Sequence, residues 1–121
     1  MSAPTPIFTT PPTLMFVGSD PDLADVCSRV MPAVSLLRVG HAAAAVQRMV
    51  VTRPLVVIFD GSVSETDATD IAECARDIRA GVVRASAAAR GQLAEAISAA
   101  ALDAEKRREL DPLPPPPPEE D

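Results

Sequence analysis

Apolar residues along this chain follow two rhythms: short unbroken runs, and stretches in which they return every three or four positions. The longest run is Leu55-Val56-Val57-Ile58-Phe59, introduced by Arg53-Pro54 and ended by Asp60-Gly61. A half-exposed strand alternates polar and apolar side chains. An uninterrupted apolar run rich in β-branched residues therefore predicts a central strand covered on both faces, as in a parallel sheet. Pro54 can only open it, because a strand interior needs the N–H that proline lacks. Thr13-Leu14-Met15-Phe16-Val17 is a second run and residues 34–39 a third. Gly81-Val82-Val83-Arg84-Ala85-Ser86 is a short fourth whose strong β-formers are its valines.

Between the runs the period becomes helical. Gly18-Ser19-Asp20-Pro21 predicts a turn into a helix, with Asp20 as its cap and Pro21 at the first helical position. Leu23, Val26, Cys27 and Val30 then form one buried stripe, with Asp22, Asp25 and Arg29 facing water. After Gly40-His41, the residues Ala42, Ala45, Val46, Met49 and Val50 trace the inner face of a second helix, whose alanines let it lie close to the sheet. Ser64 or Thr66 caps a third, which buries Ile71, Cys74, Ala75 and Ile78 and has Gly81 in the position of a C-terminal cap. The last spans about residues 91–110, with Leu93, Ala96, Ile97, Ala100 and Ala104 inward and Glu105-Lys106-Arg107-Arg108-Glu109 at its exposed end.

Strands alternating with helices predict an α/β fold with right-handed crossovers: an open parallel sheet of about four strands, the third central, flanked by helices. The order is 2-1-3-4 if the first crossovers wind as in one common doubly wound sheet. The domain is placed at residues 13–110. Residues 1–12 read as a flexible Pro-rich lead-in, and residues 111–121 as a tail in which Pro114 to Pro118 precede Glu119-Glu120-Asp121. In open parallel sheets ligands gather outside the carboxyl ends of the strands, so Asp60 is the residue delivered to the functional edge.

Composition narrows what that edge does. At 121 residues the chain supports one small domain, and with 2% aromatic residues and no Trp or Tyr its core is aliphatic. A formal net charge of -6 opposes binding to a phosphate backbone, so nucleic acid is not an expected partner. Cys27 and Cys74 lie far apart on predicted helix faces and read as core filler in a reducing cytoplasm rather than a disulfide or metal pair. No apolar run approaches the roughly 20 residues of a membrane span. Residues 1–12 lack the basic start and apolar centre of a secretory signal, so a soluble cytoplasmic protein is expected. Neither Gly-x-Gly-x-x-Gly, nor a Walker loop, nor a Gly-x-Ser-x-Gly elbow occurs. His41 stands alone and reads as a surface or capping residue. Ser19, Ser62, Ser64 and Ser86 are the hydroxyls that approach the strand edge near Asp60. The acids Glu65, Asp67, Asp70, Glu73 and Asp77 follow one edge of the third helix, either as a solvated face or to meet a basic partner.

Two stretches carry a resemblance. Leu14-Met15-Phe16-Val17-Gly18-Ser19-Asp20-Pro21-Asp22-Leu23 and Thr52-Arg53-Pro54-Leu55-Val56-Val57-Ile58-Phe59-Asp60 resemble, in kind and separation, the first and third strands of the receiver domains of two-component response regulators. The resemblance covers roughly residues 13 to 105. It implies a flavodoxin-like fold, a possible phosphoacceptor at Asp60, and remnants of the receiver site at Asp20, Ser19 and Ser86. In that family an acid pair after the first strand holds Mg²⁺ and a lysine after the fifth strand pairs with the phosphoryl group. Here Gly18 and Ser19 stand where the acid pair would be, and the single lysine, Lys106, lies far down the last helix. Ser86 matches either the Ser/Thr after the fourth strand or the lysine position. The second alignment makes residues 82–85 the fifth receiver strand and implies that one strand-helix unit is lost.

The resulting expectation is a pseudo-receiver that has lost phosphotransfer. It would be no enzyme, would need no cofactor or metal, and would act as a protein-protein interaction or scaffold module in bacterial signal transduction. Asp60 would then cap the following turn through its side chain. The alternative is a single-domain response regulator phosphorylated on Asp60, with Mg²⁺ as its cofactor. The proline run is a ligand for an aromatic-lined groove, a spacer or an inert tail. The short fourth strand leaves a sheet edge to be covered, which predicts a protein partner or self-association through residues 81–104, with Ala87, Ala94, Ala100 and Ala101 as the close-approach surface.

Overall fold

The computed structural model describes residues 13–30, 34–86 and 91–113. The elements run β1 (Thr13–Val17), α1 (Pro21–Val30), β2 (Ser35–Val39), α2 (Ala42–Thr52), β3 (Val56–Phe59), α3 (Glu65–Asp77), β4 (Gly81–Arg84) and α4 (Leu93–Leu110). The strands form a parallel sheet in the order β2-β1-β3-β4. This is the expected α/β architecture, with the strand order expected for that winding of the crossovers. The expectations for residues 1–12, Ala87 and the proline run fall outside the described residues.

Each face of the sheet takes alternate residues of the same strands. Leu14, Phe16, Val56 and Ile58 pack with Leu23, Ala24 and Cys27 of α1 and with Leu93, Ile97, Ala101 and Ala104 of α4. Met15, Val17, Val57 and Phe59 pack on the other side with Ala42, Ala45 and Met49 of α2 and with Ala68, Ile71 and Ala75 of α3. Because β1 and β3 are covered twice, their buried positions, Leu14 to Val17 and Val56 to Phe59, are all apolar. Among the described residues no helix is long and apolar enough to cross a membrane.

The turns follow local chemistry. Asp20 Oδ1 accepts the N–H groups of Asp22 and Leu23 at 3.0 and 3.3 Å and so caps α1. His41 Nδ1 caps α2 and Ser64 Oγ caps α3, the latter by accepting from the Asp67 N–H at 3.2 Å. At the amino ends of the strands, the Arg108 guanidinium donates to the carbonyl oxygens of Pro54 at 2.9 Å and Ile78 at 3.0 Å. These contacts pin the end of α4 beneath β3 and β4.

Three details depart from the sequence reading. Gly81 is not a helix cap: it opens β4, and Arg79 takes the left-handed conformation, with φ of 54°. Glycine is required at 81 because α4 crosses there; a Cβ would lie 2.8 Å from the Ala100 Cβ and 2.9 Å from its carbonyl oxygen. On α4, Ala96 is exposed and Ala101 is inward, only 3% exposed. Alanine occupies so many positions of this helix that composition alone does not set which side faces in. On α2, Val50 is turned out to solvent, 45% exposed.

Candidate functional site at the carboxyl edge of the sheet

β1 and β3 end side by side, with Val17 opposite Phe59, and the chain leaves both strands at the same edge. The ladder continues briefly into the loops: the Asp60 N–H donates to Val17 O at 3.2 Å and the Gly18 N–H to Val39 O at 3.0 Å. This extension fixes Asp60 against the β1–α1 loop. Asp60 is 4% exposed, the one buried charged residue among the described residues.

Its oxygens are fully engaged. Oδ2 accepts the backbone N–H groups of Ser19 at 3.1 Å and Asp20 at 3.0 Å, reaching across from a loop forty positions earlier. Oδ1 accepts the Ser62 N–H at 2.9 Å and the Ser62 hydroxyl at 2.5 Å. The Ser62 bonds close a side-chain turn over Gly61, as expected for an aspartate that caps its own following turn. Burial by itself raises the Asp60 pKa; the Ser62 hydroxyl and the Ser62, Asp20 and Ser19 N–H groups outweigh it and hold the carboxyl below its ordinary value.

Gly18 makes the arrangement possible. Its φ is 145°, and a Cβ built there would overlap the Asp60 Cγ and both carboxylate oxygens. The carboxylate therefore lies flat over the glycine, in space that any other residue would fill. Sequence reasoning found Asp60 and its turn but missed Gly18 and the cross-loop bonds. The only signal was a glycine where the resembled motif carries an acid, and its meaning depends on where the facing side chain sits.

Beside Asp60 opens a cleft of about 340 Å³ lined by Ser19, Asp20, Leu23, Gly61, Ser62 and Ser86. The remnants proposed from the sequence, Asp20, Ser19 and Ser86, thus meet at Asp60. Lys106 does not: it is on the turn of α4 next to Arg108, whose bonds to Pro54 and Ile78 place it at the opposite, amino edge of the sheet. As for cations, the Asp20 carboxylate is turned to α1 and that of Asp60 to the loops, and among the described residues no group of three or more His, Cys, Asp or Glu is placed to hold a metal ion.

The interaction residues separate. Ala94 is exposed, Ala100 is packed over Gly81, and Ala101 is core; the expectation that Ala101 offers an outward surface is corrected by the phase of α4. Among the described residues of β4 and α4, the exposed large apolar side chains are Val82, at 39%, which is paired with Val57 and so belongs to the α2 and α3 face, and Leu102 and Leu110 on α4, at 61% and 87%. On the far side of the sheet, Asp67, Asp70, Glu73 and Asp77 line a groove of about 540 Å³ against Ala42, Ala43 and Val46 of α2. Cys74 forms part of its wall, its thiol pKa raised by burial and then by the Asp77 charge. Cys27 is buried in the core, which pushes its thiol up to about 11.

Comparison with protein-family models, with curated proteins and with solved structures gives no match.

Proposed function

We propose that this chain is a pseudo-receiver: a non-enzymatic protein-protein interaction or scaffold module of bacterial signal transduction that no longer takes up a phosphoryl group. The observation that carries the reading is the seating of Asp60. A phosphoacceptor must present a free carboxylate oxygen to an incoming phosphorus, with cations to stabilise the charge that develops. Here both oxygens are consumed by backbone and hydroxyl donors, the carboxylate is buried, and the chain's only lysine lies at the other end of the sheet. The resemblance of residues 13 to 60 to receivers, together with the strand order, supplies the signalling context. The partner, or a second copy, docks through residues 81–104, where Val82 is exposed on the edge strand β4 and Leu102 on α4.

The test is to incubate the full chain with Mg²⁺ and either beryllofluoride or a small phosphodonor, following amide shifts and intact mass. The expected result is no phosphorylated species and no shift centred on Asp60 and Asp20. A phosphorylated chain whose label is lost in Asp60→Asn would instead establish a working receiver. For the docking side, sedimentation and pull-down of Leu102→Glu and Val82→Glu should show lost association; binding indifferent to both removes this face.

A further inference from the structure

The geometry points to an oxyanion-binding cradle, built by the loops after β1 and β3, whose resident ligand is the chain's own Asp60 carboxylate. Four donors converge on one point: the N–H groups of Ser19 and Asp20 from one loop, and the N–H and hydroxyl of Ser62 from the other. Three of the four are backbone groups, so the cradle's geometry belongs to the fold rather than to flexible side chains. Its floor is Gly18, bare because a Cβ there would enter the seat of the anion itself. The anion in the seat comes from a side chain, so the site is closed in cis; an external oxyanion enters only where Asp60 leaves.

The chemistry admitted is narrow. The donors match the two oxygens of a carboxylate, and the adjoining cleft of about 340 Å³ leaves room for the further oxygens of a phosphate. The other carboxylate lining the cleft, Asp20, opposes binding, but its Oδ1 is directed to the α1 N–H groups of Asp22 and Leu23 rather than into the seat. Because every donor to the seat is an N–H or hydroxyl group, this is a hydrogen-bonding site, selective for oxygen acceptors over a spherical halide of equal charge. Noncovalent binding by a chain lacking Asp60 is independent of kinship with receivers, whereas the phosphodonor test uses the chain with Asp60 in place.

Asp60→Ala removes only the carboxylate, and formate is the missing fragment. Full-length wild type and Asp60→Ala are titrated with sodium formate and inorganic phosphate, against sodium chloride at matched ionic strength, while amide shifts are recorded. In Asp60→Ala, formate and phosphate should give saturable shifts of the Ser19, Asp20 and Ser62 N–H groups, and wild type should give none. Adding Ser62→Ala should weaken that binding by about tenfold, the value of one such hydrogen bond. Where Asp60→Ala is too unstable for a folded spectrum, the readout is its unfolding midpoint, which should rise with formate or phosphate beyond the effect of chloride. Amides that ignore the oxyanions, an equal response in wild type, or stabilisation no greater than that by chloride would each overturn the cradle.

Discussion

Gly18→Ala probes the seat of Asp60 from below. The residue has φ of 145°, where holding an alanine costs roughly 1–3 kcal/mol. The added methyl would also overlap the Asp60 carboxyl group, so the side chain must lift away from the N–H groups of Ser19, Asp20 and Ser62. Hydrogen bonds to a charged acceptor contribute about 1.5–3 kcal/mol each; allowing the freed loop donors to regain water, the displacement should cost about 2–4 kcal/mol in all. The total, roughly 3–7 kcal/mol, approaches the whole stability of a domain this size, about 5–10 kcal/mol. Urea unfolding of wild type, Gly18→Ala, Asp60→Ala and the double variant, in a stabilising osmolyte so that every member is folded, isolates the coupling. With Asp60 truncated the methyl enters vacated space, and Gly18→Ala should cost only its backbone strain. A coupling of about 2–4 kcal/mol is expected; additivity within about 0.5 kcal/mol would refute the interlock.

Because hydrogen bonds depress the Asp60 pKa in the folded chain, its contribution to stability is present above the unfolded value of about 3.9 and is lost as pH falls through the folded value. Wild type should therefore lose stability more steeply than Asp60→Asn on acidification below about pH 4, and parallel curves would contradict this. Ile58→Asp places an unpaired carboxylate on a fully buried strand at a cost of several kcal/mol and should abolish cooperative folding; a soluble variant with a sharp thermal transition would sink the architecture. Arg108→Ala removes the donors to Pro54 O and Ile78 O and should cost about 1–2 kcal/mol, a low value because burial and the Arg53 and Arg107 charges already work against this guanidinium. Arg108→Lys should recover only part of it, since an ammonium lacks the planar fork that reaches both carbonyls, and full recovery in urea unfolding would contradict that role.

The strands and helices and the buried character of β3 were legible in the sequence because each rests on a short-range rule, whereas the strand order also took an assumption about how the crossovers wind. Leu55 to Phe59 is apolar without interruption, and the caps Asp20 and Ser64 precede helices whose apolar stripes start where the caps say. Delivery of Asp60 to the carboxyl edge follows from the same rules, since a parallel strand ends where its apolar run ends. The phase of α4 was not legible: with alanine on most sides, Ala101 or Ala96 could face inward, and the choice fell to the crossing over Gly81, a contact between residues nineteen positions apart. Nor was the purpose of Gly81 or Gly18, because a glycine shows that a Cβ is absent without showing what occupies its place. That is Ala100 in one case and the Asp60 carboxylate in the other. The protonation behaviour of Asp60 belongs to the tertiary structure for the same reason. Its type and position are written in the chain, but three of its four donors are backbone N–H groups, which every residue but proline has, and only the packing of β1 beside β3 aims them at one carboxylate.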